Sequence, residues 1–229
     1  MRKLAPTYTY PEGYKVKGVG EQVAILRQFF PELRNATYDT SIAEEPLPNG
    51  AEGWFAIPRW ENLGCSDNYN IALRKVLRTI ASKRAFYDWR EVQRGPRRLR
   101  QSERSVEAFQ KLVQEQKGYD ILIVPCQFGL RHAGRSVRRA RGLMNENEFG
   151  LGSFTVGCMI LTHPEREVKD EQLHVLCAGD EFSFDAEDYF SLTTRFSFFI
   201  GKLGFDGGSW DCNASELFGS ASGFLLDAA

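Results

Sequence analysis

The spacing of apolar residues divides the chain into a helical first part and a later part with shorter, alternating segments. Apolar positions three and four residues apart predict amphipathic helices. The four predicted helices span residues 21–30, 67–91, 102–117 and 135–144. Pro31 and Gly118 are typical helix ends, and Ser66 or Asp67 and Ser102 are expected to cap the second and third helices.

Two strands are predicted within the same first part of the chain. The segment from Trp54 to Trp60 is apolar and is expected to end at Pro58. Residues 119–124 are apolar at every position from Ile121, which indicates burial on both faces and therefore a central strand. Pro125 lacks an N–H group, so we expect this strand to stop there.

The period changes after residue 145. Phe154, Val156, Cys158 and Ile160 alternate with other residues, which predicts a strand. Further strands are expected at residues 173–178, 195–200 and 203–205, with Gly201-Lys202 as a two-residue turn between the last two. We therefore predict one compact α+β unit, with a helical portion at 1–145 packed on a β-rich portion at 146–229.

Composition is ordinary for a globular protein, with 42% apolar and 26% charged residues. No apolar stretch follows the first residues, and no run approaches the roughly 20 residues that a membrane span needs. The five cysteines form no paired spacing. These features favour a cytoplasmic protein with reduced thiols and no membrane partner.

Charge is strongly polarised along the chain. Residues 71–144 hold 18 Lys or Arg against 6 Asp or Glu, a local charge of +12, whereas residues 145–229 hold 4 against 15, a local charge of -11. The helical portion is therefore basic and the β-rich portion acidic. Blocks of this size suggest a polyanion partner, internal pairing of the two blocks, or head-to-tail self-association.

The leading hypothesis is a non-enzymatic protein that binds nucleic acid or another polyanion through an arginine-rich surface. The candidate contacts are Arg94, Arg97, Arg98, Arg100, Arg131, Arg135, Arg138 and Arg139. Four aromatic residues are candidates for base stacking, namely Trp54, Trp60, Tyr87 and Trp89. Internal pairing with the acidic block is the main alternative.

A second hypothesis concerns the strand, loop and helix around Cys126–Arg135. Glycine-bearing loops before a helix favour anions, and Arg131 and Arg135 would supply bidentate donors to a phosphate. The loop from Cys126 to Arg131 is similar to the signature loop of cysteine phosphatases. It has four intervening residues where that family has five, and Pro125 replaces the usual preceding histidine. This alternative predicts a phosphate-handling enzyme with a concave pocket, and it fails if Phe128 fills the loop.

No metal or cofactor is expected. A cluster of acidic residues is interpreted as a solvated turn, because its spacing matches no calcium loop. Its members are Asp180, Glu181, Asp185, Glu187 and Asp188. His132, His163 and His174 are scattered, and no phosphate-loop, dinucleotide or zinc signature is present.

Overall fold

The computed structural model describes residues 3–64, 68–91, 95–185 and 189–226. Within these ranges, helices and strands form the predicted α+β fold. The helices are α1 (Val19–Phe29), α2 (Tyr69–Lys83), α3 (Glu103–Glu115), α4 (Val137–Arg141) and α5 (Ser153–Thr162). The strands are β1 (Gly53–Pro58), β2 (Phe86–Asp88), β3 (Leu99–Gln101), β4 (Ile121–Gln127), β5 (Glu148–Gly150), β6 (His174–Phe182), β7 (Leu192–Phe199), β8 (Lys202–Trp210), β9 (Phe218–Ser220) and β10 (Ser222–Phe224). None of the helices described here is long and apolar enough to cross a membrane.

The strands form two sheets. One sheet has the order β1-β4-β10-β5 and is antiparallel throughout. The other has the order β2-β8-β7-β6-β3, with β9 also paired to β6. Each sheet combines strands from before and after residue 145, so the change of charge along the chain does not separate the two sheets.

Helix α5 is buried along its whole length and packs against α1, α2, β1 and β6. The predicted strand at this segment is therefore wrong. A helix that is buried on every side has no polar face, so its sequence carries no helical period and chance alternation looks like a strand. Gly157 permits the close crossing with α2, because a β-carbon there would lie 2.7 Å from Val76 Cγ1.

The prediction of a buried central strand is confirmed by β4, which lies between β1 and β10. The predicted end at Pro125 is wrong, since β4 continues to Gln127. Pro125 pairs with Trp54 of β1, whereas β10 pairs only with Cys126 and Gln127. The strand therefore has a single neighbour at the proline, where a missing N–H is tolerated.

The second predicted helix is shorter than expected. Helix α2 ends at Lys83 because residues 86–88 form β2, which pairs in parallel with β8. Its cap is Asn68, whose side chain accepts two backbone N–H bonds; Ser66 and Asp67 lie outside the described residues. Ser102 is at the N-cap of α3, but its hydroxyl pairs with that of Ser105, 2.8 Å away.

Candidate nucleic-acid interface

Strands β7 and β8 have one buried face and one open face. Because side chains alternate along a strand, Phe196 and Phe198 point into the core together with Leu203 and Phe205. The opposite face carries the residues between them. These are Arg195, Ser197 and Phe199 on β7 and Lys202, Gly204 and Asp206 on β8.

The strand register aligns these outward residues into rows. Ser197 lies opposite Gly204, and Gly204 lies opposite Tyr87 of β2. Helix α4 covers the same face farther along, where Val137, Ala140 and Met144 pack on Leu176 of β6. The part of the face formed by β2, β8 and β7 is left open.

This open part contains a pocket of about 750 Å³. Gly204 and Ser197 provide a floor with little side chain, and Tyr87, Trp89 and Phe199 stand around it. We call these three aromatic residues the aromatic platform. Their side chains are 49%, 63% and 69% exposed, respectively. Grouped exposed apolar side chains of this size mark binding surfaces more often than ordinary protein surface.

The hairpin tip beside the platform is strained. The turn is Ile200-Gly201, one residue earlier than the predicted Gly201-Lys202, and both residues have positive φ, 49° and 72°. Ile200 is also 74% exposed. A β-branched residue rarely adopts this conformation, and strain of this kind concentrates at functional sites.

The charges in the pocket favour an anionic ligand. Asp206 accepts a bond from Arg90 Nε at 2.9 Å and from Arg195 Nη2 at 3.0 Å, so its charge is offset. Lys202 lines the same pocket and forms no ion pair with any described residue. His174 also lines the pocket, through the sheet row that it shares with Phe218.

Most of the arginines predicted as nucleic-acid contacts are engaged within the fold. Arg100 Nε lies 2.8 Å from Glu181, and Arg138 Nη2 lies 2.9 Å from Asp211. Arg98 donates to the Phe184 carbonyl. These contacts join the basic block to the acidic block, which favours the internal-pairing alternative for these residues.

Two predicted arginines, Arg97 and Arg139, are exposed and have no side-chain partner in the part of the chain that the structure describes. Arg94 lies outside the described residues. Their contact with a polyanion stays a prediction.

The loop at Cys126–Arg135 does not form the predicted phosphate cradle. Phe128 is fully buried and packs edge-on against Tyr14 and Phe55, so it fills the loop. Arg131 Nε lies 3.2 Å from Glu148, and Arg135 Nη1 donates to the Arg131 carbonyl at 2.6 Å. Both guanidinium groups are thus used inside the structure.

The nearby cysteine has no nucleophilic character. Cys126 is fully buried within β4. Burial, together with the charge of Glu52, raises the pKa of the Cys126 thiol well above its usual value. Because the thiolate is the reactive form, this cysteine is inert at neutral pH.

The four candidate stacking residues differ in availability. Trp54 is in the core and Trp60 is partly buried, whereas Tyr87 and Trp89 are exposed and lie 4.3 Å apart between ring centroids. Phe199 was missing from the predicted set. Its alternation with Ser197 and Arg195 places it on one strand face, but the pairing of β8 with β2, which brings Tyr87 and Trp89 to the same pocket, is not visible in the sequence.

The described residues of the acidic cluster lie in different environments. Asp180 is fully buried, Glu181 pairs with Arg100, and Glu187 and Asp188 lie outside the described residues. The described residues contain no group of three or more His, Cys, Asp or Glu side chains placed to hold a metal ion.

Comparison with protein-family models, curated proteins and solved structures found no match.

Proposed function

We propose that this protein binds single-stranded nucleic acid on the open face of β2, β8 and β7. The observation that carries the proposal is the aromatic platform standing around a pocket that also holds Lys202 and Arg195. Bases of a single strand stack on exposed aromatic rings, while cationic side chains contact the phosphates between them. The bases of a duplex are already stacked on one another and cannot reach such a platform.

The proposal keeps the predicted class of partner and changes the predicted surface. Three of the predicted arginines pair with acidic side chains and two donate to backbone carbonyls, whereas the platform is open. The four described cysteines are all free, which supports the expected cytoplasmic location. Head-to-tail self-association stays a prediction, and the internal pairs use charges that such assembly would need.

Fluorescence anisotropy with a labelled oligothymidylate of about 12 nucleotides tests the proposal. We expect binding at about 0.05 M salt that weakens at 0.2 M, with a log–log slope near -1.4 for two phosphate contacts. Replacing Lys202 with alanine should reduce the magnitude of this slope by about 0.7. A duplex of the same length should bind more weakly than the single strand.

Trp89→Ala should weaken binding by about tenfold or more, since stacking contributes about 1–3 kcal/mol per base. The matched control is Trp210→Ala, because Trp210 is 51% exposed on the same sheet but does not line the pocket. Failure to bind the single strand at low salt, or equal losses in the two tryptophan variants, would refute the proposal.

A further inference from the structure

A second cavity lies between α3 and the end of β1. Its volume is about 210 Å³. An apolar protein cavity of about 150 Å³ already takes up benzene, so this one has room for a molecule built on a single aromatic ring. Among the described residues, its lining has none in common with that of the platform pocket. A ligand bound here would therefore be separate from the proposed nucleic-acid site.

Helix α3, which forms one wall of this cavity, is fixed at both ends. Near its start, the Ser105 hydroxyl donates to the Gly150 carbonyl of β5 at 2.8 Å. After its last turn, the Gln116 amide donates to the Ile123 carbonyl of β4 at 3.0 Å and accepts from the Ile123 N–H at 2.8 Å. Ser105 and Gln116 are both buried. The distance between helix and sheet is thus set by these bonds, and the cavity is present without a ligand.

The large apolar side chains of α3 face this cavity and are incompletely covered. The fully buried residues of the helix are Ser105, Ala108 and Leu112. Val106, Phe109 and Val113 each follow one of these by a single position and line the cavity instead. Val106 is 36% exposed, and the other two are partly buried. A ligand that covers this stripe removes apolar surface from water, which favours binding.

The rest of the apolar lining favours a ring over an aliphatic chain. Ile57 of β1 and Leu122 of β4 are buried core residues that contribute to the lining. Its aromatic members are Trp60, Phe109 and Phe154. Aromatic rings attract one another in edge-on and offset arrangements, beyond the effect of buried area alone.

The polar side of the cavity favours an acid. Arg59 is the one cation among the described lining residues. Its Nε is buried and has no hydrogen-bond partner in the part of the chain that the structure describes. A buried donor without an acceptor is costly, and a carboxylate can accept two parallel bonds from a guanidinium group. Glu61 also lines the cavity, but it is exposed, so solvent screens its charge.

We infer that this cavity binds a small aromatic carboxylic acid, with the ring against Phe109 and Phe154 and the carboxylate at Arg59. The inference is independent of the proposed function. A suitable probe is 3-phenylpropionate, because its single ring matches the volume and its two-carbon chain carries the carboxylate away from the ring. The amide of the same acid, 3-phenylpropionamide, has the same shape without the charge.

Calorimetric titration of the full chain with the acid and with the amide tests the inference. We expect the acid to bind, and the amide to bind about tenfold more weakly, since charge-assisted hydrogen bonds are about twice as strong as neutral ones. Arg59→Met should weaken binding of the acid by about tenfold and leave the amide nearly unaffected. The matched control is Arg78→Met, because Arg78 is exposed on α2 and is not part of the cavity lining.

Val113→Trp should abolish binding of both molecules, because the larger ring occupies the cavity. Failure of the acid to bind wild type at about 1 mM would overturn the inference. Equal affinities of wild type for acid and amide would do the same, as would equal losses in Arg59→Met and Arg78→Met. The comparison of acid with amide needs no variant, so a variant that failed to fold would leave that test in place.

Discussion

The indole ring of Trp89 leans over Gly204: a β-carbon added at residue 204 would lie 3.5 Å from Trp89 Nε1. This distance is an ordinary van der Waals contact, so a small side chain fits without moving the backbone, while a branched one occupies the pocket floor. Gly204→Val should therefore keep the fold, as valine favours strands, and reduce oligothymidylate binding by about tenfold.

The control for this substitution is Gly95→Val, since an added β-carbon at Gly95 meets nothing within 4 Å and lies away from the pocket lining. Thermal unfolding and anisotropy should be measured on both variants. Normal binding by Gly204→Val would show that the pocket floor is not part of the interface.

Asp180 joins α5 to both β7 and α2 through a buried carboxylate. It accepts from the Ser153 N–H at 2.9 Å, from the Ser153 hydroxyl, from Tyr69 at 2.8 Å and from Thr194 at 2.8 Å. Asp180→Asn replaces one acceptor oxygen with an NH₂ group, which faces N–H and O–H groups that need an acceptor. We expect a loss of about 3 kcal/mol in the free energy of unfolding.

Asp170→Asn is the matched control for Asp180→Asn, because Asp170 is exposed and should change stability by less than about 0.5 kcal/mol. Urea unfolding of both variants provides the comparison. Similar midpoints for the two would mean that the buried network contributes little.

His163 should make stability depend on pH. Burial, followed by the charge of Lys17, lowers the pKa of His163 from 6.5 to about 4. Between these values the unfolded chain binds a proton that the folded protein does not, so stability is full above pH 6.5 and falls as the pH drops towards 4. The total loss is about 3 kcal/mol.

His163→Gln removes this titration, so its unfolding free energy should fall less steeply over the same window. For each protein, the free energy of unfolding should be measured at pH 7.5 and at pH 4.5. The loss between the two pH values is then compared for wild type and variant. If wild type and variant lose stability in parallel, the histidine is not the group responsible.

The internal charge pairs should differ in strength according to burial. Glu148 is fully buried and accepts from His132 at 2.7 Å, from Ser222 at 2.6 Å and from Arg131 at 3.2 Å. Burial alone raises the pKa of Glu148, but these hydrogen bonds and the neighbouring positive charges lower it overall. Glu148→Ala leaves buried donors without an acceptor and should cost about 3–5 kcal/mol.

Asp211→Ala breaks the partly exposed pair with Arg138 and should cost less than about 1 kcal/mol. The two variants can be compared by chemical unfolding at low and high salt. A loss for Asp211→Ala as large as that for Glu148→Ala would contradict the assignment of the surface pairs as weak.

The sequence predicted the helices that have one polar face and misassigned the helix that has none. Helix α3 matches its prediction within two residues because its apolar stripe and its caps are visible. The all-buried helix α5 was interpreted as a strand, since no polar residue revealed its period. Residues 86–88 were assigned to a helix because β2 is held by its parallel partner β8, a contact distant in sequence.

The candidate interface was predictable in part. Tyr87 and Trp89 were identified as stacking candidates from residue type alone. The internal pairing of the arginine blocks was not predictable, because charge counts along the chain do not show which side chains face each other. Arg100 and Glu181, 81 residues apart, meet only because β3 pairs with β6. His174, which also lines the pocket, gave no signal, since it belongs to no recognisable motif.

Photocrosslinking tests the central claim most directly, because it locates the bound strand on the protein. An oligonucleotide with a photoreactive pyrimidine is irradiated with the full chain, and the modified residues are mapped by mass spectrometry. The binding account predicts crosslinks at Tyr87, Trp89 or Phe199, lost when excess unlabelled single strand competes. Crosslinks confined to the segments around Arg97 and Arg139, with none on the aromatic platform, would contradict it.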